Sequence, residues 1–299
     1  MAATAKRISL LLENYIQARE AGPTSGYEIR QVSDTDLEHF YILIQPKAGV
    51  YKGQQYIMEL KTAYGHGDDL TQYPINAPYA HFITNIFHVN ISANGGSICL
   101  DMLKDKAKWS PLNSFDTIVQ NILLLFDEPN NASPYNSEAS KVWVECEKAY
   151  KQVKTAHMSV AQIDRLHAEY FRPFTDKASQ IMKTNNLKMY GKWFPWLDPD
   201  HPEYERRMNY DDIAFCALKS GYETAQAEKK NRRKAATNMP TNTATSTLAS
   251  TTPVESDTTS SVSSATSTTA APDSAAASTS APSSAKPSGA NRWAKYQKK

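Results

Sequence analysis

Three observations predict an α+β fold. The chain opens with a helical apolar period, continues with four runs rich in β-branched and aromatic residues joined by short turns, and returns to helical periodicity from Phe115 onward. In the opening segment Ile8, Leu11, Leu12, Tyr15 and Ile16 recur on one helical face, so an amphipathic helix is expected over about residues 3–20, stopped by Gly22-Pro23. The β-type runs are 27–32, 37–45, 55–62 and 81–87, with residues 34–36 and 46–53 supplying turns. Successive strands with short links make a four-stranded antiparallel meander. After it, Phe115, Ile118, Ile122 and Leu125 fall on one stripe of a buried helix over 115–126. Further helices are expected over 137–157 and 160–185, the second kinked or split at Pro173, which removes a donor and crowds the preceding turn.

Beyond this the chain changes character twice. Residues 192–212, KWFPWLDPDHPEYERRMNYDD, combine three prolines with two tryptophans and two tyrosines, which is not linker composition. Such Pro-bracketed aromatics either pack back on the domain or form a docking element. A short helix is expected over 211–230, ending in the basic run KKNRRK, Lys229–Lys234. That run reads as the cationic C-terminal end of a helix, where it suits the macrodipole, or as a nuclear import signal or weak nucleic-acid patch. From Asn238 to about Gly289 the chain is nearly all Ser, Thr, Ala and Pro, a composition that cannot bury enough apolar surface to order itself. It ends in NRWAKYQKK, where Trp293 and Tyr296 sit among basic residues. The expected division is a core domain over 1–158, a helical and Trp/Pro-rich extension over 159–237, and a disordered tail over 238–299.

Bulk properties narrow the function. A net charge of +2 over 299 residues gives no global field that argues for nucleic acid or a membrane as partner. Three widely spaced cysteines, Cys99, Cys146 and Cys216, form neither a disulfide framework nor a zinc ladder, which suits a reducing compartment, cytoplasm or nucleus. His66, His81 and Cys146 have no ligand spacing, and no cofactor is expected. Glu13 and Asn14 interrupt the short N-terminal apolar run, which argues against a signal peptide, and no stretch is long and apolar enough to span a bilayer.

The densest chemistry lies in residues 88–111, HVNISANGGSICLDMLKDKAKWSP. Cys99 follows a Gly-containing turn inside an apolar bracket, with Asn90 a short loop upstream. A lone cysteine in such a setting suits a nucleophile that carries an acyl group, because a thioester keeps that group activated. Taken in order, Tyr73-Pro74, Ala77-Pro78, IFHVN, GSICLDMLK, WSP and EPN resemble the ubiquitin-conjugating enzymes of the UBC-fold family, from the first helix to about Met158. Family members commonly read HPN where this chain has His88-Val89-Asn90, so a φ-fixing proline is lost. Residues 63–72, AYGHGDDLTQ, stand as an insertion before the Tyr-Pro turn.

The resemblance implies a function and a set of roles. Cys99 accepts the C-terminal glycine of ubiquitin, or of a related modifier, from an activating enzyme, and passes it to a lysine of a substrate protein with a ligase. Asn90 donates to the developing oxyanion or holds the active-site loop. Ser133, in EPNNASPYNSEA, falls where the family carries an acidic residue or a serine that orients the incoming lysine. His88 is structural rather than a base, and Asp101 is mainly structural. Lys6 and Arg7 match the basic start of the helix that meets the activating enzyme, while Ile75, Pro111 and Leu112 match two ligase-contacting loops. Two other readings stay open: conjugation of a different ubiquitin-like modifier, and a non-catalytic variant that only binds ubiquitin or another partner.

Overall fold

The computed structural model describes residues 2–65 and 70–237. The Ser/Thr-rich tail with Trp293 and Tyr296, and His66 in the insertion, lie outside the described residues. The chain runs helix α1 (Ala2–Ser25), strands β1 (Tyr27–Gln31), β2 (His39–Ile44), β3 (Tyr56–Lys61), β4 (Ala63–Tyr64), β5 (Thr71–Gln72) and β6 (Tyr79–Phe82), then helices α2 (Asp101–Lys104), α3 (Phe115–Asp127), α4 (Ser137–Val153), α5 (Val160–Tyr170), α6 (Arg172–Met182) and α7 (Tyr204–Thr237). This is the α+β order read from the sequence.

Strands β1, β2, β3 and β6 form one antiparallel sheet in that order. Tyr27 faces Ile44, Ile42 faces Met58 and Leu60 faces Ala80. Because side chains alternate along a strand, Tyr27, Ile29, Phe40, Ile42, Tyr56, Met58, Leu60 and Phe82 point to one side and meet α1 and α3. Leu11, Tyr15 and Ala18 come from α1, and Phe115, Ile118, Val119 and Ile122 from α3. Asn14, which breaks the apolar run of α1 in sequence, is buried at this junction. Its Oδ1 accepts from the Phe115 backbone N–H at 3.2 Å, satisfying a donor left over at the start of α3.

The opposite face of the sheet is covered as well. Leu43 and Ile57 are fully buried there against Phe194, with Tyr41, Ile83, Trp193 and Trp196 around them. Trp193 Nε1 donates to the Val32 carbonyl at 3.1 Å, and Tyr41 meets the Trp193 ring edge-on at 4.7 Å. The Pro-bracketed aromatic segment therefore packs back on the domain.

Several boundaries depart from the sequence expectation. Helix α1 does not stop at Gly22-Pro23 but continues to Ser25. Proline in a last turn forfeits a single hydrogen bond, and the carbonyls of Pro23 and Thr24 are taken by Lys47 Nζ at 2.6 and 2.8 Å. Gly26, at φ 96°, is the actual stop, closing on the Gly22 carbonyl at 2.9 Å. The fourth main strand is Tyr79–Phe82 rather than 81–87. Thr84 Oγ1 accepts the Ile57 N–H at 2.9 Å, replacing a ladder carbonyl and releasing Ile86 and Phe87 into the core. Within the insertion, β4 and β5 pair as a small antiparallel ladder that the sequence reading did not foresee. The helix expected over 160–185 is split, with Pro173 in the first turn of α6, where its missing N–H has no intrahelical partner to lose. Helix α7 begins seven residues before the expected start, its first turn braced by Glu203 with Arg206 at 2.7 Å. Among the described residues no helix is long and apolar enough to cross a membrane.

Candidate active site

The site begins with buried polar groups. Past Phe87 the chain turns through His88, Val89 and Asn90, all without solvent exposure. The His88 ring stacks on Tyr51, centroids 5.4 Å apart. His88 Nε2–H donates to the Leu125 carbonyl at 3.0 Å, which leaves Nδ1 to accept the Asn90 backbone N–H at 2.9 Å. Both nitrogens are thereby committed in one neutral tautomer. Burial pushes the His88 pKa down to about 4, with the Leu125 hydrogen bond opposing in part. This ring is structural, as the resemblance implies, and has no nitrogen left to act as a base on a thiol.

Asn90 ties three segments together. Its backbone carbonyl accepts the Cys99 N–H at 2.7 Å. Its Oδ1 accepts the Asn130 N–H at 2.7 Å, and its Nδ2 donates to the Asn130 carbonyl at 2.8 Å and to the Ser133 carbonyl at 3.4 Å. The neighbouring Val89 carbonyl accepts from the N–H groups of Tyr135 and Asn136 at 2.8 and 3.1 Å. The loop over 130–136 is thus held to the 88–90 turn from both of its ends, with valine where the family commonly has proline.

Cys99 sits at the exit of a tight excursion from Ile91 to Ile98, which bridge each other. Gly96 makes this possible. Its φ is 64°, and a Cβ there would fall 1.8 Å from the Phe82 carbonyl oxygen. The Gly96 carbonyl accepts the Phe82 N–H at 2.9 Å, so the end of β6 and the cysteine loop are locked together. Cys99 itself is half-buried, and its Sγ lies 3.7 Å from Ser133 Oγ. Helix α2 follows at once. Lys104 Nζ lies 3.4 Å from the centroid of the Tyr135 ring, and Asp101 pairs with Lys108. The other thiols differ: burial pushes the Cys146 pKa up, and Cys216 lies exposed on α7.

The structure therefore brings Cys99, Asn90 and Ser133 into one place and sets the other predicted site residues apart from it. Ile75 is 77% exposed and Leu112 is 92% exposed, with Pro111 exposed beside it. Their loops are fastened to each other by Trp109 Nε1 donating to the Pro74 carbonyl at 2.8 Å and the Tyr73 hydroxyl donating to the Asn113 carbonyl at 2.7 Å. Lys6 is exposed, whereas Arg7 is turned inward. Its guanidinium donates to the Tyr73 and Thr62 carbonyls at 2.9 and 3.2 Å and pairs with Glu38, fixing the start of α1 to the base of the Ile75 loop. Sequence reasoning missed Asn130, Tyr135 and Lys104. Asn130 stood in the EPN block but had no role assigned to it, and nothing in the sequence pairs Lys104 with Tyr135 across a loop. Among the described residues no three His, Cys, Asp or Glu side chains cluster to hold a metal.

The family model described as ubiquitin-conjugating enzyme matches residues 11–158. The chain is 33% identical to ubiquitin-conjugating enzyme E2 16 of Schizosaccharomyces pombe over 125 residues, covering 41% of this chain and 72% of that protein. It is 29% identical over 154 residues to the ubiquitin-conjugating enzyme E2-20 kDa of the same organism, covering 51% of this chain and 82% of that one. Among solved structures, the E2 domain of a Toxoplasma gondii ubiquitin conjugating enzyme aligns with 58% of this chain and 94% of its own length, at 23% identity and a TM-score of 0.41. The family match over residues 11–158, together with a relative one-third identical across most of its own length, makes this chain a member of the ubiquitin-conjugating enzyme family.

Proposed function

We propose that the chain is an active conjugating enzyme, with Cys99 as its acyl carrier. The Cys99 thiolate attacks the thioester carbonyl at the C-terminal glycine of ubiquitin on an activating enzyme, and the activating enzyme's thiolate leaves. A substrate lysine, deprotonated, then attacks the new thioester carbonyl. The tetrahedral intermediate collapses to an isopeptide bond and expels the Cys99 thiolate, and the amine's second proton passes to water. ATP is consumed upstream, when the modifier is first activated.

The observation that carries this reading is the placement of one half-exposed sulfur against a loop that a buried asparagine has fixed, with Ser133 Oγ 3.7 Å away. A thioester is already reactive, so the second step needs mainly orientation and stabilisation of the oxyanion. Ser133 is positioned to orient an arriving amine. Asn90 acts chiefly by holding the loop, its longer bond to the Ser133 carbonyl being the one it can exchange for an oxyanion. Lys6 belongs to the surface that meets the activating enzyme. Arg7 supports that surface from within, and Ile75, Pro111 and Leu112 form the ligase contact, where exposed apolar side chains on fastened loops suit a hot spot. Cytoplasm or nucleus is the compartment that fits three unpaired thiols.

The test is direct. Incubation with ATP, ubiquitin and an activating enzyme should give a shifted band on a non-reducing gel. That band should vanish with thiol and in Cys99→Ala, and persist in Cys146→Ala and Cys216→Ala. A shift with another modifier but not with ubiquitin selects a different conjugation pathway. No shift with any modifier leaves a binding module.

A further inference from the structure

Helix α7 is anchored through its first half. In its first half Tyr210 donates to Asp34 at 3.1 Å, Phe215 meets Tyr15 edge-on at 6.2 Å beneath the Arg19 guanidinium at 4.4 Å, and Lys219 pairs with Glu20. Beyond Tyr222 the described side chains up to Lys234 are exposed except for half-buried Gln226. The fifteen residues over 223–237 thus carry the helix about 20 Å past its anchor, at about 1.5 Å per residue.

This projecting rod is cationic and has no large apolar side chain. Lys229, Lys230, Arg232, Arg233 and Lys234 lie within six positions, and the rest of the segment from Glu223 onward is Ala, Thr, Glu, Gln and Asn. At about 100° per residue the five cations spread over roughly 200° of the helix circumference. Without an apolar stripe such a helix can neither lie in a membrane interface nor dock as an amphipathic ligand in a hydrophobic groove. An acidic protein surface meets one side of a helix and would leave half of so wide an arc unused. A duplex groove presents phosphates on both walls. The major groove, about 12 Å wide, admits a helix whose diameter with side chains is about 10–12 Å.

We propose that the C-terminal end of α7 is a sequence-independent contact for duplex nucleic acid, made by these five cations with backbone phosphates. The chain's overall charge of +2 gives no such expectation; the placement of the cations on an exposed, projecting helix does. Such a contact tethers the conjugating domain to nucleic acid without engaging Cys99.

Fluorescence anisotropy of the full chain with a labelled duplex of about 20 base pairs, titrated at several salt concentrations, tests this. The comparison is the full chain carrying K229A, K230A, R232A, R233A and K234A, substitutions that favour the helix. The native chain should bind at about 50 mM salt, and the variant should bind at least ~10-fold more weakly, its log–log salt slope shallower by about 4. Thioester formation on Cys99 should be equal in the two. No binding by the native chain, equal affinity and slope in both chains, or tighter binding to polyglutamate of equal charge than to the duplex would each overturn the proposal.

Discussion

Asn90 uses both amide protons and its side-chain oxygen inside the loop that borders Cys99. Removing the side chain should therefore loosen the loop before it affects the thiol. In Asn90→Ala, charging of Cys99 should persist while discharge to lysine slows by roughly 10²–10³-fold, measured as loss of the thioester band in a single-turnover chase. Asn90→Asp separates the two roles. It keeps the acceptor for the Asn130 N–H but has no N–H to give, so a discharge rate equal to the native one would remove both the carbonyl tether and oxyanion donation from the chemistry. Two residues upstream, His88 makes stability depend on pH. Its folded pKa is about 4 against an ordinary value of 6.5, so below pH 6.5 the unfolded chain binds a proton that the folded chain refuses. Stability is full above 6.5 and falls as pH drops towards 4. The loss by pH 5 should be about 2 kcal/mol, read from urea midpoints at pH 7 and pH 5. Burial lowers the pKa of His167 also, which adds in the same direction. His88→Gln should flatten most of this slope, and an unchanged slope would place the dependence elsewhere.

At the scale of elements, legibility followed periodicity. Helix α3 was readable to within a residue because Phe115, Ile118, Ile122 and Leu125 keep one strict stripe against the sheet. Strands β1–β3 were readable because β-branched and aromatic residues fill them, buried on both faces in β3, and their turns carry glycine and aspartate. What failed were endings decided by distant partners. Pro23 reads as a stop, yet Lys47, twenty-four positions away, takes its carbonyl. The end of β6 is written in Thr84, whose hydroxyl accepts the Ile57 N–H of β3 in place of a ladder carbonyl, and no local pattern announces that. The front of α7 was hidden because Tyr204–Tyr210 looks like more of the aromatic segment before it. The site divides the same way. Cys99, Asn90 and Ser133 were legible as residue types in ordered blocks. The inward turn of Arg7 was not, since it depends on carbonyls at Thr62 and Tyr73 that only the folded chain brings near.

At the scale of the molecule, the expected boundary at residue 158 cuts through a shared interior. Phe174 of α6 is fully buried against Tyr51, Phe87 and Trp143, at centroid distances of 5.8, 5.1 and 5.1 Å, and Phe171 and Ala178 belong to the same cluster. Further along, Asn185 closes reciprocal hydrogen bonds with the Asn85 backbone at 2.8 and 2.9 Å. The aromatic segment that follows covers the outer face of the sheet, and beyond it Phe215 and Leu218 of α7 pack against the edge of the main core. Two truncations should therefore behave differently. A chain ending at Met158 loses α6 and opens Phe87 and Trp143 to water, a loss at least as large as a Phe→Ala change in a core, roughly 3–5 kcal/mol. A chain ending at Asn185 keeps that interior and uncovers Leu43 and Ile57, which fully buried side chains of their kind value at roughly 1.5–3 kcal/mol each. Thermal melts should rank the full chain above the 185-residue form and that form well above the 158-residue form. Equal melting points for the two truncations would mean that α5 and α6 are an appendage and that the core closes without them. If the ranking holds, the conjugating domain of this protein extends to α6, and the aromatic segment after it serves to hide a sheet face that would otherwise be open to water or to another protein.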